Sequence, residues 1–228
     1  MKKFLSIIII TAAALSCTAQ TMDIKSEGDT TIITVKNPTK YIILPIEETT
    51  REKQVKLDNG LPTDTWMDIR LAESKIDYKV PFELGKGQES VVKIIGLKPS
   101  FIALKNIKLS NEWNVVNTDY YRPIYHHTPS YGWMNDPNGM FYKDGVWNLY
   151  YQYNPYGSKW GNMHWGHAIS KELFHWTEEP AAIARDTMGH IFSGSSVVDV
   201  DNTAGYGKGA IIAFYTSASQ NNGQIQCM

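Results

Sequence analysis

From Met140 onward the chain alternates short aromatic runs with tight turns, and that rhythm restricts it to antiparallel sheet. Met140-Phe141-Tyr142 reads as a strand, Lys143-Asp144-Gly145 as a hairpin turn, and Val146 to Tyr153 as the returning strand. Asn154-Pro155-Tyr156-Gly157 interrupts the run, and a third strand follows around Trp165 to Ser170. A second unit starts at Ser195 to Asp199 and continues at Ala210 to Thr216. Strand, hairpin, strand, loop, strand predicts four-stranded antiparallel blades, and repeated blades predict a β-propeller.

Upstream the composition changes. Residues 21–112 hold 14 Lys+Arg and 14 Asp+Glu, against 6 and 9 in residues 113–228. Of the 27 aromatics, 21 lie in residues 113–228, and all six histidines lie beyond residue 120. This contrast predicts two units, with a boundary near Asn111 to Asp119. In the first, Thr30 to Val35, Tyr41 to Ile46, Val91 to Ile95 and Phe101 to Leu104 read as strands, and Ile107 and Leu109 alternate with lysines. Asn37-Pro38 and Asp58-Asn59-Gly60 read as turns. The pattern predicts a small β-sandwich accessory module over residues 21–112. Trp66-Met67-Asp68 offers a sugar-contacting aromatic beside a carboxylate, although a core role for Trp66 is the simpler reading.

The first twenty residues read as an address. Lys2 and Lys3 precede an apolar stretch, Phe4 to Leu15, that is too short to span a bilayer. Leu15-Ser16-Cys17 resembles a bacterial lipobox, in which Cys17 is lipidated after removal of residues 1–16. The alternative is cleavage after Ala19. Either route predicts export. Lipidation would place the protein on an envelope membrane, at the periplasmic face or the cell surface, with Cys17 as its only membrane contact. The balance of 22 Lys+Arg and 23 Asp+Glu excludes a protein held to nucleic acid by bulk charge.

Gly132-Trp133-Met134-Asn135-Asp136-Pro137-Asn138-Gly139 is the most informative segment. Pro137 pushes Asp136 toward an extended backbone, and Gly139 frees the chain to turn. Trp133 offers a flat apolar surface, and Asn135 a donor and an acceptor. Stacking surface, amide and held carboxylate suit a sugar. As composition alone, an ordinary turn explains the segment equally well.

The segment resembles the signature of the β-fructofuranosidase family of glycoside hydrolases (glycoside hydrolase family 32), which includes invertases, levanases and inulinases. Further matches follow in order: Tyr151-Gln152-Tyr153-Asn154-Pro155, Trp160 to Ala168, Lys171 to Trp176, and Phe192-Ser193-Gly194-Ser195. The resemblance covers residues from about Asp119 to the end. It implies an all-β chain in which the accessory module precedes the first one to two blades of a five-bladed propeller, residues 119–228. It implies retaining hydrolysis of terminal or internal β-fructofuranosidic bonds in fructans or sucrose. The partner is then a fructose-containing oligo- or polysaccharide, and no cofactor is implied. Asp136 matches the nucleophile. Asn135, Gln152, Trp160, Phe192 and Ser193 match positions that contact the fructosyl unit, and Trp133 would line the pocket.

One departure is large. The family's acid/base glutamate, in a Glu-Cys pair, and its stabilising aspartate, in an Arg-Asp-Pro motif, have no counterpart here. The expectation is an N-terminal portion of a longer enzyme, inactive by itself. Glu178 and Glu179 are the in-chain candidates for the missing acid, with Pro180 suggesting a loop there. A non-catalytic carbohydrate-binding fragment, or a propeller glycosidase acting on another furanoside, are the alternatives. A zinc site built from His164, His167, His175 and His190 is disfavoured, because residues three apart on a strand point to opposite faces.

Overall fold

The computed structural model describes residues 19–115, 120–123 and 125–228. The leader residues, Cys17 among them, and part of the expected boundary lie outside the described residues.

The chain is all-β, with a single helix among the described residues. The first module contains β1 (Thr21–Glu27), β2 (Thr30–Lys36), β3 (Tyr41–Ile46), β4 (Lys53–Leu57), β5 (Met67–Ile69), β6 (Tyr78–Glu83), β7 (Glu89–Ile95), α1 (Ile102–Asn106) and β8 (Lys108–Ser110). A five-stranded sheet, β1-β2-β7-β4-β5, faces a three-stranded sheet, β6-β3-β8. In β2 and β7 burial alternates strictly, so Ile33, Val35, Val92 and Ile94 point inward. They share one core with Ile42, Leu44 and Val80 of the other sheet, which makes the module a sandwich.

Of Phe101 to Leu104, expected as a strand, Ile102 to Leu104 form the first part of α1 instead and Phe101 is its N-cap. A four-residue apolar run has no period long enough to separate helix from strand. Here Ala103 is fully buried, its N–H bonds Ala72 O, and the Ile107 N–H closes the turn on Ala103 O.

Glu47 is a buried carboxylate in this module. Its Oε2 accepts the N–H groups of Ser74, Lys75 and Glu73 at 2.8, 3.2 and 2.9 Å, and its Oε1 accepts the Ser74 hydroxyl at 3.0 Å. These donors, the Ser74 N–H foremost, outweigh desolvation and hold the carboxyl down at about 2. A depressed carboxyl contributes stability above its unfolded value of about 4.3, and that contribution is lost as pH falls toward the folded one. The module should therefore lose stability between about pH 4.3 and 2. Glu47→Gln should flatten that dependence in unfolding curves followed by circular dichroism; an unchanged slope would show that Glu47 does not govern it.

The second module begins with β9 (Trp133–Lys143), β10 (Val146–Asn154), β11 (His164–Ser170) and β12 (Thr177–Ile183), one antiparallel meander in the order β12-β11-β10-β9. A second meander follows: β13 (His190–Asp199), β14 (Ala210–Ser219) and β15 (Gly223–Cys227). Gly145 takes φ +83° at the β9–β10 turn, where the sequence places a hairpin. Inner strands β9 and β13 lie beside one another, joined where the Ser196 hydroxyl donates to Gly139 O.

Two local expectations change. Pro180 does not mark a loop. It sits within β12, which pairs only with β11, and an edge strand tolerates a residue without an N–H. Gly139 does not end a strand either. It lies inside β9 at φ +57°, where the register with β10 shifts by a residue. A Cβ there would lie 2.9 Å from the Tyr150 ring and 3.1 Å from both Ser196 Oγ and the Trp165 ring.

The modules are joined through polar and aromatic contacts. Asn162, 1% exposed, accepts the Asp68 N–H at 2.9 Å and donates to Asp68 O at 2.8 Å. The Arg185 guanidinium donates to the same Asn162 Oδ1 at 2.8 Å. Ser158 donates its N–H and hydroxyl to Glu48 Oε1 at 3.0 and 2.7 Å, and Tyr156 packs on Phe82 with ring centroids 5.3 Å apart. Residues 155–163, between β10 and β11, are thus anchored on the accessory sandwich.

Candidate active site

Two β-bulges build the site. On β9, Pro137 pairs with Tyr151 and Met134 with Tyr153, so Asn135 and Asp136 together oppose the single Gln152. On β13, Ile191 pairs with Ser217 and Gly194 with Tyr215, so Phe192 and Ser193 together oppose Thr216. A bulge re-aims the side chains of the extra residue's segment. Here the two bulges meet: the Ser193 hydroxyl donates to Asp136 Oδ2 at 2.7 Å, 57 residues away in sequence. Gly194 follows at a close approach, where a Cβ would lie 1.9 Å from Phe214 O.

The β13 bulge is held from behind. Gln152, 2% exposed, donates from Nε2 to Ile191 O at 2.9 Å, and the fully buried Trp165 donates from Nε1 to Phe192 O at 3.0 Å. Gln152 is therefore a buried bridge between the two sheets and not a solvated strand residue. Trp133 Nε1 donates to Asn135 Oδ1 at 3.2 Å, which fixes the amide orientation and leaves Asn135 Nδ2 as a donor. Asp136 itself is exposed, so its carboxylate is open to a ligand while hydrogen bonds hold the residues around it.

Trp160 is 53% exposed, and so is no core residue. It stacks on His190 at 5.6 Å and 24°, and meets Phe192 edge-on at 6.1 Å. Burial, with the Arg185 charge adding to it, pulls His190 down to about 4, so the ring is neutral near pH 7. Its Nδ1 accepts the Met163 N–H at 3.1 Å, which assigns the remaining proton to Nε2. The other three histidines weighed as zinc ligands are engaged separately: His164 with Asn162 O, His167 with Asn148 at 2.9 Å, and His175 with Glu172 at 3.2 Å. Among the described residues no group of three His, Cys, Asp or Glu is placed to hold a metal.

Ser130 donates its N–H and its hydroxyl to the two carboxylate oxygens of Glu178. Sequence reasoning assigned no role to Asn162 and Arg185, and considered His190 only as a metal ligand. Asn162 lay within the Trp160 to Ala168 motif, at φ +42°, a backbone conformation that asparagine tolerates better than most residues.

The description "Glycosyl hydrolases family 32 N-terminal domain" fits residues 126–228, and a domain of unknown function, DUF4980, fits residues 27–125. Residues 126–228 are therefore similar to the N-terminal domain of glycosyl hydrolase family 32. The family segment is 52% identical over 109 residues to Levanase of Bacillus subtilis (strain 168), covering 46% of this chain and 16% of that protein. It is 44% identical over 138 residues to Invertase of Schwanniomyces occidentalis, covering 56% and 25%. A solved β-fructofuranosidase from Schwanniomyces occidentalis, complexed with fructosyl-erythritol, aligns at 44% identity and TM-score 0.45 over 49% of this chain and 24% of that one. The chain thus spans about a sixth to a quarter of the length of these curated relatives.

Proposed function

We propose that this chain carries the nucleophile-bearing part of a retaining β-fructofuranosidase acting on fructans or sucrose. The observation that carries the reading is the pairing of two bulges that presents the Asp136 carboxylate beside Ser193, 2.7 Å away. The relatives named levanase, inulinase and invertase support the substrate class.

In this mechanism Asp136 attacks the anomeric carbon of a fructosyl unit, and the bond to the leaving oxygen breaks. Water then releases fructose from the covalent intermediate, with net retention. The Ser193 hydroxyl keeps the attacking carboxylate oriented, Asn135 Nδ2 donates to a sugar hydroxyl, and Trp160 with Phe192 walls the ring. Retaining hydrolysis needs a second carboxyl group roughly 5–5.5 Å from the first to protonate the leaving oxygen. Neither Glu178, whose oxygens accept from Ser130, nor Glu179 lies in a motif that resembles the family's acid, so this reading takes the proton donor from outside these 228 residues and expects the chain alone to be inactive. The test is fructose release from levan, inulin and sucrose by the full-length protein, and its loss on Asp136→Asn. Release by the 228-residue chain that disappears on Glu178→Gln or Glu179→Gln would instead place the acid within it.

Export with lipid anchoring at Cys17 completes the reading. It rests on Lys2-Lys3, the apolar stretch and the lipobox-like Leu15-Ser16-Cys17. The mature protein should begin at Cys17 and partition with membranes. A soluble mature form beginning at Gln20 would contradict the anchor.

A further inference from the structure

A groove of about 810 Å³ runs along the junction of the two modules. That volume lies within the range of small-ligand sites, roughly 300–1,000 Å³. The accessory sandwich contributes Trp66 and Asp68 to it. The propeller segment contributes Arg185, His190, Phe192 and the β14–β15 turn around Asn221. Trp66 is not the core residue expected from sequence. It is half-buried, with the Lys56 ammonium 5.4 Å from its ring centroid and the ring lining the groove.

Polar groups here retain unused capacity. Arg185 Nε is buried and without a partner. The Asp68 carboxylate has one long contact, 3.4 Å to Arg185, and is 37% exposed. A guanidinium and a carboxylate side by side suit the paired donors and acceptors of vicinal hydroxyls. An aromatic face beside them suits the apolar face of a sugar ring.

The groove reaches the segment that carries Ser193. His190 and Phe192 line it and both contact Trp160, and Phe192 directly precedes Ser193, whose hydroxyl bonds Asp136. We infer that the accessory module supplies a carbohydrate subsite, centred on Trp66 and flanked by Asp68 and Arg185, for sugar units of a fructan chain beyond the unit that reaches Asp136. This rests on the function proposed above and extends it. The module then discriminates polymer from disaccharide, because only a chain of several units spans both the pocket and the groove.

The test is binding of β-fructo-oligosaccharides of graded length to the full-length protein, in an Asp136→Asn background so that no ligand is consumed. Affinity should rise with length. Trp66→Ala should weaken binding of the longer oligosaccharides about three- to tenfold, the scale of one aromatic contact, and leave the disaccharide unchanged. Trp66→Phe should restore most of the loss. Trp66→Ala that binds long oligosaccharides like its parent overturns the subsite and leaves the catalytic reading standing. Equal weakening for every length, with no rescue by phenylalanine, also overturns it, as general damage. A protein that binds no fructoside of any length overturns the catalytic reading itself.

Discussion

Replacing Asp136 by asparagine in the full-length protein should lower kcat on fructosides by about 10⁴–10⁶, the scale seen when a covalent nucleophile is removed. Substrate binding should survive. Asparagine has the same shape, and its Oδ1 still accepts the Ser193 hydroxyl that now sits 2.7 Å from the carboxylate. The bulge on β9 is a backbone feature, set by the register of Pro137 with Tyr151 and Met134 with Tyr153, and does not depend on the charge. Retention of about a tenth or more of the parental kcat would mean that Asp136 is not the nucleophile, since no covalent step remains without it.

The second large effect is expected at Asn162. Its amide spans the junction, bonding the N–H and the C=O of Asp68 and accepting from Arg185. Asn162→Ala strands the Asp68 N–H and C=O beside a side chain that was 1% exposed. Each buried group left without a partner costs roughly 1–3 kcal/mol, so a loss of about 2–4 kcal/mol is expected. In a chain of this size that corresponds to a fall in Tm of roughly 4–16 °C. The loop that carries Trp160 should loosen at the same time and weaken fructose binding. Asp68→Ala is the informative control. The latch uses the Asp68 backbone, so that variant loses only the 3.4 Å contact to Arg185 and should cost far less. If the two variants destabilise equally, the latch is not where the modules are joined.

Much of the strand framework was legible because its signals are local. Tyr41–Ile46 is a run of apolar and β-branched residues after Asn37-Pro38, and β3 has those bounds. Lys143-Asp144-Gly145 marked the β9–β10 hairpin, since a positive φ is required where the glycine stands. Other features depend on tertiary context. α1 and the Pro180 strand went unread because a four-residue apolar run and a lone proline are decided by what packs beside them. The bulges were invisible for the same reason: the octapeptide from Gly132 to Gly139 reads as a turn until β10 pairs with it. Contacts across 57 residues, such as Ser193 to Asp136, or 94 residues, such as Asn162 to Asp68, leave no local trace. The site residues were named through ordered motifs shared with a family. The role of Trp66 carried no such motif, and only its place at the groove distinguishes it from a core tryptophan.

The most direct test of the central claim is the mass of the protein quenched in acid during steady turnover of a fructoside, followed by peptide mapping. A covalent intermediate on Asp136 predicts a species heavier by one fructosyl unit, with the added mass on the peptide containing Trp133 to Lys143 and absent from the Asp136→Asn protein. A fructosyl adduct on another peptide, or turnover that inverts the anomeric configuration with no adduct, would contradict it.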